Sequence, residues 1–164
     1  VRKTNLRQYI DEELKKRNIK CNCIRCKEPK LKPISWKSIE LKRLDYEASN
    51  GKEIFLSYED VKNDILLGFA RLRIPYKPFR PEITKNSAGI RELHVYGQAV
   101  KIGEKDNNVQ HKGLGIKLMQ EAEKIAKQEF NINKMLVISG IGVKNYYINK
   151  LGYKKDGPYV SKLI

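Results

Sequence analysis

Two periodicities divide the chain. Apolar and polar residues alternate between Ser38 and Ile74 in the manner of half-buried strands. Ile39, Leu41 and Leu44 begin a first strand, which ends near the hairpin signal Asn50-Gly51. Lys52–Tyr58 reads as a second strand, Asp60–Asn63 as a turn, and Ile65–Ile74 as a third strand with Leu67, Phe69, Arg71 and Arg73 at alternate positions. Pro75, Pro78 and Pro81 make the next stretch a loop. Alternation returns at Arg91–Val100, where Leu93, Val95 and Gly97 point one way and His94, Tyr96 and Gln98 the other. Helical spacing follows, with Leu114, Leu118, Ala122, Ile125 and Ala126 on one face. Lys134–Ser139 has the apolar run of a buried central strand and ends at Gly140-Ile141-Gly142. A short helix over 144–150, Gly152-Tyr153 and a closing strand through Tyr159 to Leu163 complete the chain.

Helical spacing also marks the N-terminus. Thr4 or Asn5 caps a helix to about Arg17, with Leu6, Ile10 and Leu14 sharing a face and Lys15, Lys16 and Arg17 in the last turn. Its polar face would present Arg2, Lys3 and Arg7, suited either to solvent or to phosphate. All three cysteines, Cys21, Cys23 and Cys26, follow within six residues. Three cannot pair fully, so a secreted disulfide scaffold is disfavoured. Clustered thiolates beside Lys and Arg suit zinc. The fourth ligand stays open among His94, His111, a carboxylate and a residue outside the chain. Pro29 and Pro33 set a boundary, giving a basic helix and Cys-rich linker over 1–34 and an α/β domain over 35–164.

Charge adds a partner class. The net charge is +15. Residues 1–43 carry fourteen Lys and Arg against five Asp and Glu, so the excess lies mostly at the N-terminus. Such a surface favours polyanions. No apolar run is long enough to span a membrane, and the first residue, Val1, suggests a piece of a longer protein.

The candidate chemistry lies in Gly89–Gln128. Between its strand and helix sits Gln110-His111-Lys112-Gly113-Leu114-Gly115. Glycines let the backbone approach a phosphate, and the first helical turn leaves N–H groups unpaired. The spacing is neither that of a P-loop nor that of a Rossmann fingerprint. Q-x-x-G-x-G opening an amphipathic helix resembles motif A of the GCN5-related N-acetyltransferases, the GNAT superfamily. The resemblance implies an α/β GNAT acetyltransferase fold: a mixed central sheet with two splayed parallel strands, here Arg91–Val100 and Lys134–Ser139. Acetyl-CoA would lie in the gap, paired with backbone groups of Glu92, Leu93, His94 and Val95 like an added strand.

RELHVYG, QHKGLG-x-x-LM-x-EAE-x-IA, ISG-x-G-x-x-NYY and LGY-x-x-x-GPY, with TNLRQ, the cysteine cluster and FLSYED, are similar to the C-terminal acetyltransferase region of the Elongator catalytic subunit. That family implies a cytoplasmic tRNA acetyltransferase acting on the wobble uridine (U34). Its iron–sulfur cluster and S-adenosylmethionine belong to a radical domain that nothing here matches. It implies acetyl-CoA contacts from Glu92–Val95, donors at Leu114, Gly115 and Ile116 around the pyrophosphate, and Gln110, Lys112 and Gly113 beside them. It implies Tyr147, with Tyr146, near the thioester, and Cys21, Cys23 and Cys26 as structural zinc ligands. The implied partners are tRNA, facing the N-terminal helix, the Cys loop and the cations of 27–42, and other Elongator subunits or a second copy, with no membrane. Glu92 and His94 are possible acid–base groups, and neither is assigned as a base. Two alternatives share the CoA site: a protein lysine N-acetyltransferase of the histone type, and a non-catalytic acetyl-CoA or RNA-binding module. A cationic groove suits RNA over a lysine-rich tail, which it would repel.

Overall fold

Strands form where alternation predicts them. The structure, a computed structural model, describes residues 4–97 and 113–164. Two short helices, α1 (Leu6–Lys16) and α2 (Ile24–Lys27), precede strands β1 (Ile39–Ala48), β2 (Gly51–Asp60), β3 (Ile65–Ile74) and β4 (Ser87–Val95). Helix α3 (Leu114–Phe130), strand β5 (Lys134–Val137), helix α4 (Lys144–Leu151) and the hairpin β6 (Lys154–Asp156) and β7 (Tyr159–Leu163) follow. The described strands form one sheet in the order β1-β2-β3-β4-β5-β7-β6. Only β4 and β5 are parallel, so the sheet is mixed, as expected.

The core lies between this sheet and α3. Ile54, Leu56, Ala70, Leu72, Ile90, Met135 and Val137 pack against Leu118, Met119, Ala122, Ile125 and Ala126 of α3. The α3 face is the one that the sequence spacing marks. At the outer edge Arg43 of β1 clamps Glu129 of α3 through two bonds of 2.6 and 2.7 Å.

Three local expectations need correction. Ser49-Asn50, not Asn50-Gly51, form the first hairpin turn: both have positive φ, and Gly51 already pairs with Ala48. That is the twist a two-residue hairpin needs. Asn5 precedes α1 with φ 60° and makes no side-chain capping bond, and the shared face of Leu6, Ile10 and Leu14 is not buried. The central strand stops at Val137, and Ile138 is 61% exposed rather than buried, because the sheet parts there.

The cysteine segment is anchored to the sheet by charge. Lys27 Nζ reaches Glu59 Oε2 at 3.2 Å and Asp64 Oδ1 at 3.0 Å, while Lys20 Nζ meets Asp64 Oδ2 at 2.7 Å. Beyond it, buried Asp60 accepts from the Ser35 N–H (2.7 Å), Ser38 Oγ (2.6 Å) and the Asn63 amide (2.8 Å). Among the described residues no helix is long and apolar enough to cross a membrane.

Candidate active site

The parting of β4 from β5 begins at a bulge. On the β3 side, Leu72 pairs with Ile90 and Arg71 with Glu92, leaving Arg91 as the extra residue. On the β5 side, pairing runs only from Ser87↔Lys134 to Ile90↔Val137. A bulge increases local twist and turns the strand. From Glu92 to Val95, β4 therefore keeps β3 on one edge and has no strand pairing with β5 on the other. Among the described residues no strand pairs with that edge, and its backbone N–H and C=O groups need partners. Glu92 is half-exposed and pairs with Arg71 at 3.3 Å. Leu93 and Val95 turn toward the α3 side, where they pack on the core. His94 turns to the opposite face, where it stacks on Phe69 (6.0 Å) and meets Tyr96 at a tilt (4.4 Å).

Beside this edge stands the start of α3. Gly113 precedes the helix with φ 71° and ψ 14°, a left-handed conformation that a glycine adopts without Cβ cost. The first intrahelical acceptance is by Gly113 O, from Lys117 N at 3.1 Å. The N–H groups of Leu114, Gly115 and Ile116 have no acceptor earlier in the helix. The helix dipole adds partial positive charge there. Leu114 is buried against Ile65 and Leu67, which fixes the helix on the sheet. Gly115 is packed so that an added Cβ would lie 2.9 Å from Tyr146 Oη and 3.5 Å from Val95 Cγ2. The glycine turn, the free end of β4 and the Tyr146 hydroxyl thus converge. Gln110, His111 and Lys112 lie outside the described residues; the strand expected over Arg91–Val100 instead runs Ser87–Val95, with Tyr96 and Gly97 beyond its end and 98–100 outside the described residues.

The two tyrosines stand differently. Tyr146 is half-buried, and burial raises its hydroxyl pKa. Tyr147 is buried in the core, edge-on to Tyr146 (5.3 Å) and to Tyr153 (6.1 Å). Burial, then Tyr146, raises its pKa as well. Both hydroxyls are therefore protonated donors at neutral pH. The periodicity of α4 could not separate them; packing against Gly115 does.

Cys21, Cys23 and Cys26 are free thiols whose Sγ atoms lie within 4.8 Å of one another. Three soft donors at that spacing can hold a metal ion. Among the described residues no histidine or carboxylate joins them, and His94 is engaged in its aromatic stack. Sequence spacing did not reveal Arg7, which donates from Nη2 to Cys26 Sγ at 2.6 Å and from Nη1 to Cys23 Sγ at 3.5 Å. Its guanidinium pulls the Cys23 thiol down to about 6, whereas sharing with Cys21 pushes Cys26 up.

A mixed sheet parted beside a glycine-led helix defines the class as an α/β domain of the acetyltransferase type. The chain belongs to the acetyltransferase (GNAT) family, whose model matches residues 21–153. It is 51% identical over 174 residues to the tRNA uridine(34) acetyltransferase of Methanocaldococcus jannaschii, covering all of this chain and 32% of that protein. It is 47% identical to Elongator complex protein 3 of Schizosaccharomyces pombe, over 96% of this chain and 30% of that protein. The solved structure of archaeal Methanocaldococcus infernus Elp3 with an N-terminal deletion (1–46) superposes with a TM-score of 0.88 at 49% identity, covering 99% of this chain and 40% of that one. The chain spans about a third of the length of the curated relatives it matches. The GNAT family implies acetyl-CoA as the acyl donor.

Proposed function

We propose that this chain is the acetyl-CoA-binding acetyltransferase part of a cytoplasmic enzyme that modifies the wobble uridine of tRNA. The observation that carries the reading is the Glu92–Val95 edge of β4, which has no strand partner on the β5 side among the described residues, beside the first turn of α3. Backbone groups of Glu92–Val95 pair with the amides of the pantetheine arm, and the N–H groups of Leu114, Gly115 and Ile116 hold the pyrophosphate. Gln110, Lys112 and Gly113 complete the phosphate loop. Tyr146 donates its proton toward the departing CoA sulfur, and Tyr147 supports its ring. The demand is modest, since a thiol with pKa ~8.5 already leaves well at neutral pH. No base is assigned.

Residues 1–34 act as a separate basic helix and zinc-binding linker on the domain of 35–164. Cys21, Cys23 and Cys26 hold structural zinc, with Arg7 offsetting the thiolate charge. The names of the relatives, together with the net charge of +15, support tRNA as substrate. Other Elongator subunits or a second copy are its protein partners. Transfer of the acetyl group to a uridine would call on a radical S-adenosylmethionine domain, to which none of these 164 residues corresponds.

Acetyl-CoA hydrolysis measured with tRNA, without tRNA and with a lysine-rich peptide tests the reading. Stimulation by tRNA alone is expected. Acetylation of the peptide without any response to tRNA would replace it with a protein acetyltransferase.

A further inference from the structure

A cavity of about 690 Å³ opens on the sheet face opposite α3. Ile90 and Val137 turn into the α3-side core, whereas Leu136 packs with Ile83 and Tyr159 on the other face. Leu136 and Ile138 give this cavity an apolar floor just where β4 and β5 part. Its rim carries Arg73, Lys77 and Arg91, with Tyr76 and Phe79.

Three properties of that rim point to one ligand chemistry. First, Tyr76 and Phe79 are 68% and 70% exposed, on a loop whose backbone is restricted by Pro75, Pro78 and Pro81. Two large aromatic rings are thus left bare at modest entropic cost. Second, none of the described residues lining the cavity is acidic. Third, the arginines are preset from below. Glu53, 1% exposed, accepts from Arg91 Nη1 at 2.6 Å and Arg73 Nη1 at 3.5 Å. Arg73 is also held by the carbonyls of Ala48 (2.5 Å) and Ser49 (3.3 Å). One carboxylate beneath two guanidiniums and a lysine leaves the rim cationic. The volume falls in the ordinary range for small-ligand pockets.

We propose that this cavity receives an unpaired nucleotide of an RNA chain. Its base stacks on Tyr76 and Phe79, and its phosphates meet Lys77 and Arg91. Bare aromatic rings beside cations are how single-stranded RNA is gripped with little regard to sequence. A lysine-bearing peptide would bring a cation to a cationic rim. The inference rests on the reading of the chain as acting on tRNA, and it assigns the RNA contact to a surface separate from the N-terminal helix.

The test is fluorescence anisotropy of the 164-residue chain with a labelled seven-nucleotide RNA at low salt, beside calorimetry with acetyl-CoA. Tyr76→Ala/Phe79→Ala should weaken RNA binding at least about tenfold. Tyr76→Phe should bind as wild type, and acetyl-CoA affinity should not change in either variant. Lys77→Ala should lower the log–log salt slope by about 0.7. Unchanged RNA affinity in the double variant overturns the pocket and leaves the tRNA reading standing. Absence of RNA binding by wild type overturns both. A lysine-rich peptide whose binding is lost in the double variant would assign the cavity to a protein partner and overturn the proposal.

Discussion

The Tyr146 hydroxyl rests against Gly115, so close that a Cβ on that residue would stand 2.9 Å from the oxygen. The phosphate turn and the proposed acid of the reaction are thus in contact. Gly115→Ala should raise helix propensity slightly yet displace Tyr146. Acetyl-CoA affinity, measured by calorimetry, should fall about tenfold, with the melting temperature changed by only a few degrees. Adding Tyr146→Phe to that variant should recover part of the affinity, since the obstructing oxygen is gone.

Gly113 fails differently under substitution. An added Cβ meets nothing within 4 Å, but φ is 71°. Gly113→Val should therefore cost about 1–2 kcal/mol through backbone conformation alone. That corresponds to a fall in melting temperature of about 2–8 °C for a chain of this size. Acetyl-CoA binding should weaken with it.

The tyrosine pair should divide by role. Tyr146→Phe should lower tRNA-stimulated acetyl-CoA hydrolysis about tenfold to a hundredfold with little effect on melting. Tyr147→Ala should cost about 3–5 kcal/mol of stability, because it empties a core site against Tyr146 and Tyr153. Thermal melts and initial rates measured on both variants check the division.

Asp60 gives a pH signature. Burial opposes its charge, but hydrogen bonds from Ser38, Ser35 and Asn63 outweigh burial and hold the carboxyl at about 2. A carboxyl depressed below its unfolded value of about 3.9 stabilises the fold above that pH. The contribution is lost as pH falls toward 2. Asp60→Asn should therefore destabilise by about 1–3 kcal/mol at neutral pH. The gap from wild type should narrow between about pH 4 and 2 in urea titrations.

Metal removal tests the cysteine cluster. Purified protein should hold about one zinc per chain, lost in Cys23→Ser. Arg7 is the link between α1 and the cluster, so Arg7→Ala should speed amide exchange over residues 6–16 while leaving the sheet protected. Equal exchange in both proteins would remove Arg7 from that role.

Much of the sheet was legible because turn residues punctuate its strands. The Asp60–Asn63 turn and Pro75 bracket β3, Ile65–Ile74, which is buried on both faces over its first six residues, and the α3 stripe named the residues that reach the core. What alternation could not give was the end of β5. Ile138 is apolar like its neighbours, and only the Arg91 bulge and the parted sheet explain its exposure. The α1 stripe of Leu6, Ile10 and Leu14 likewise reads as a core face without being buried. In the candidate site, Gly113, Gly115 and the Glu92–Val95 edge carried signals of their own. Arg7 beside the thiols and Glu53 beneath two arginines had none, since partners so distant in sequence meet only through the fold.

Amide-resolved NMR during an acetyl-CoA titration tests the central claim most directly. The largest shifts should fall on the backbone N–H groups of Glu92–Val95 and Leu114–Ile116. Saturable binding whose shifts cluster elsewhere, with these two segments unmoved, would contradict it.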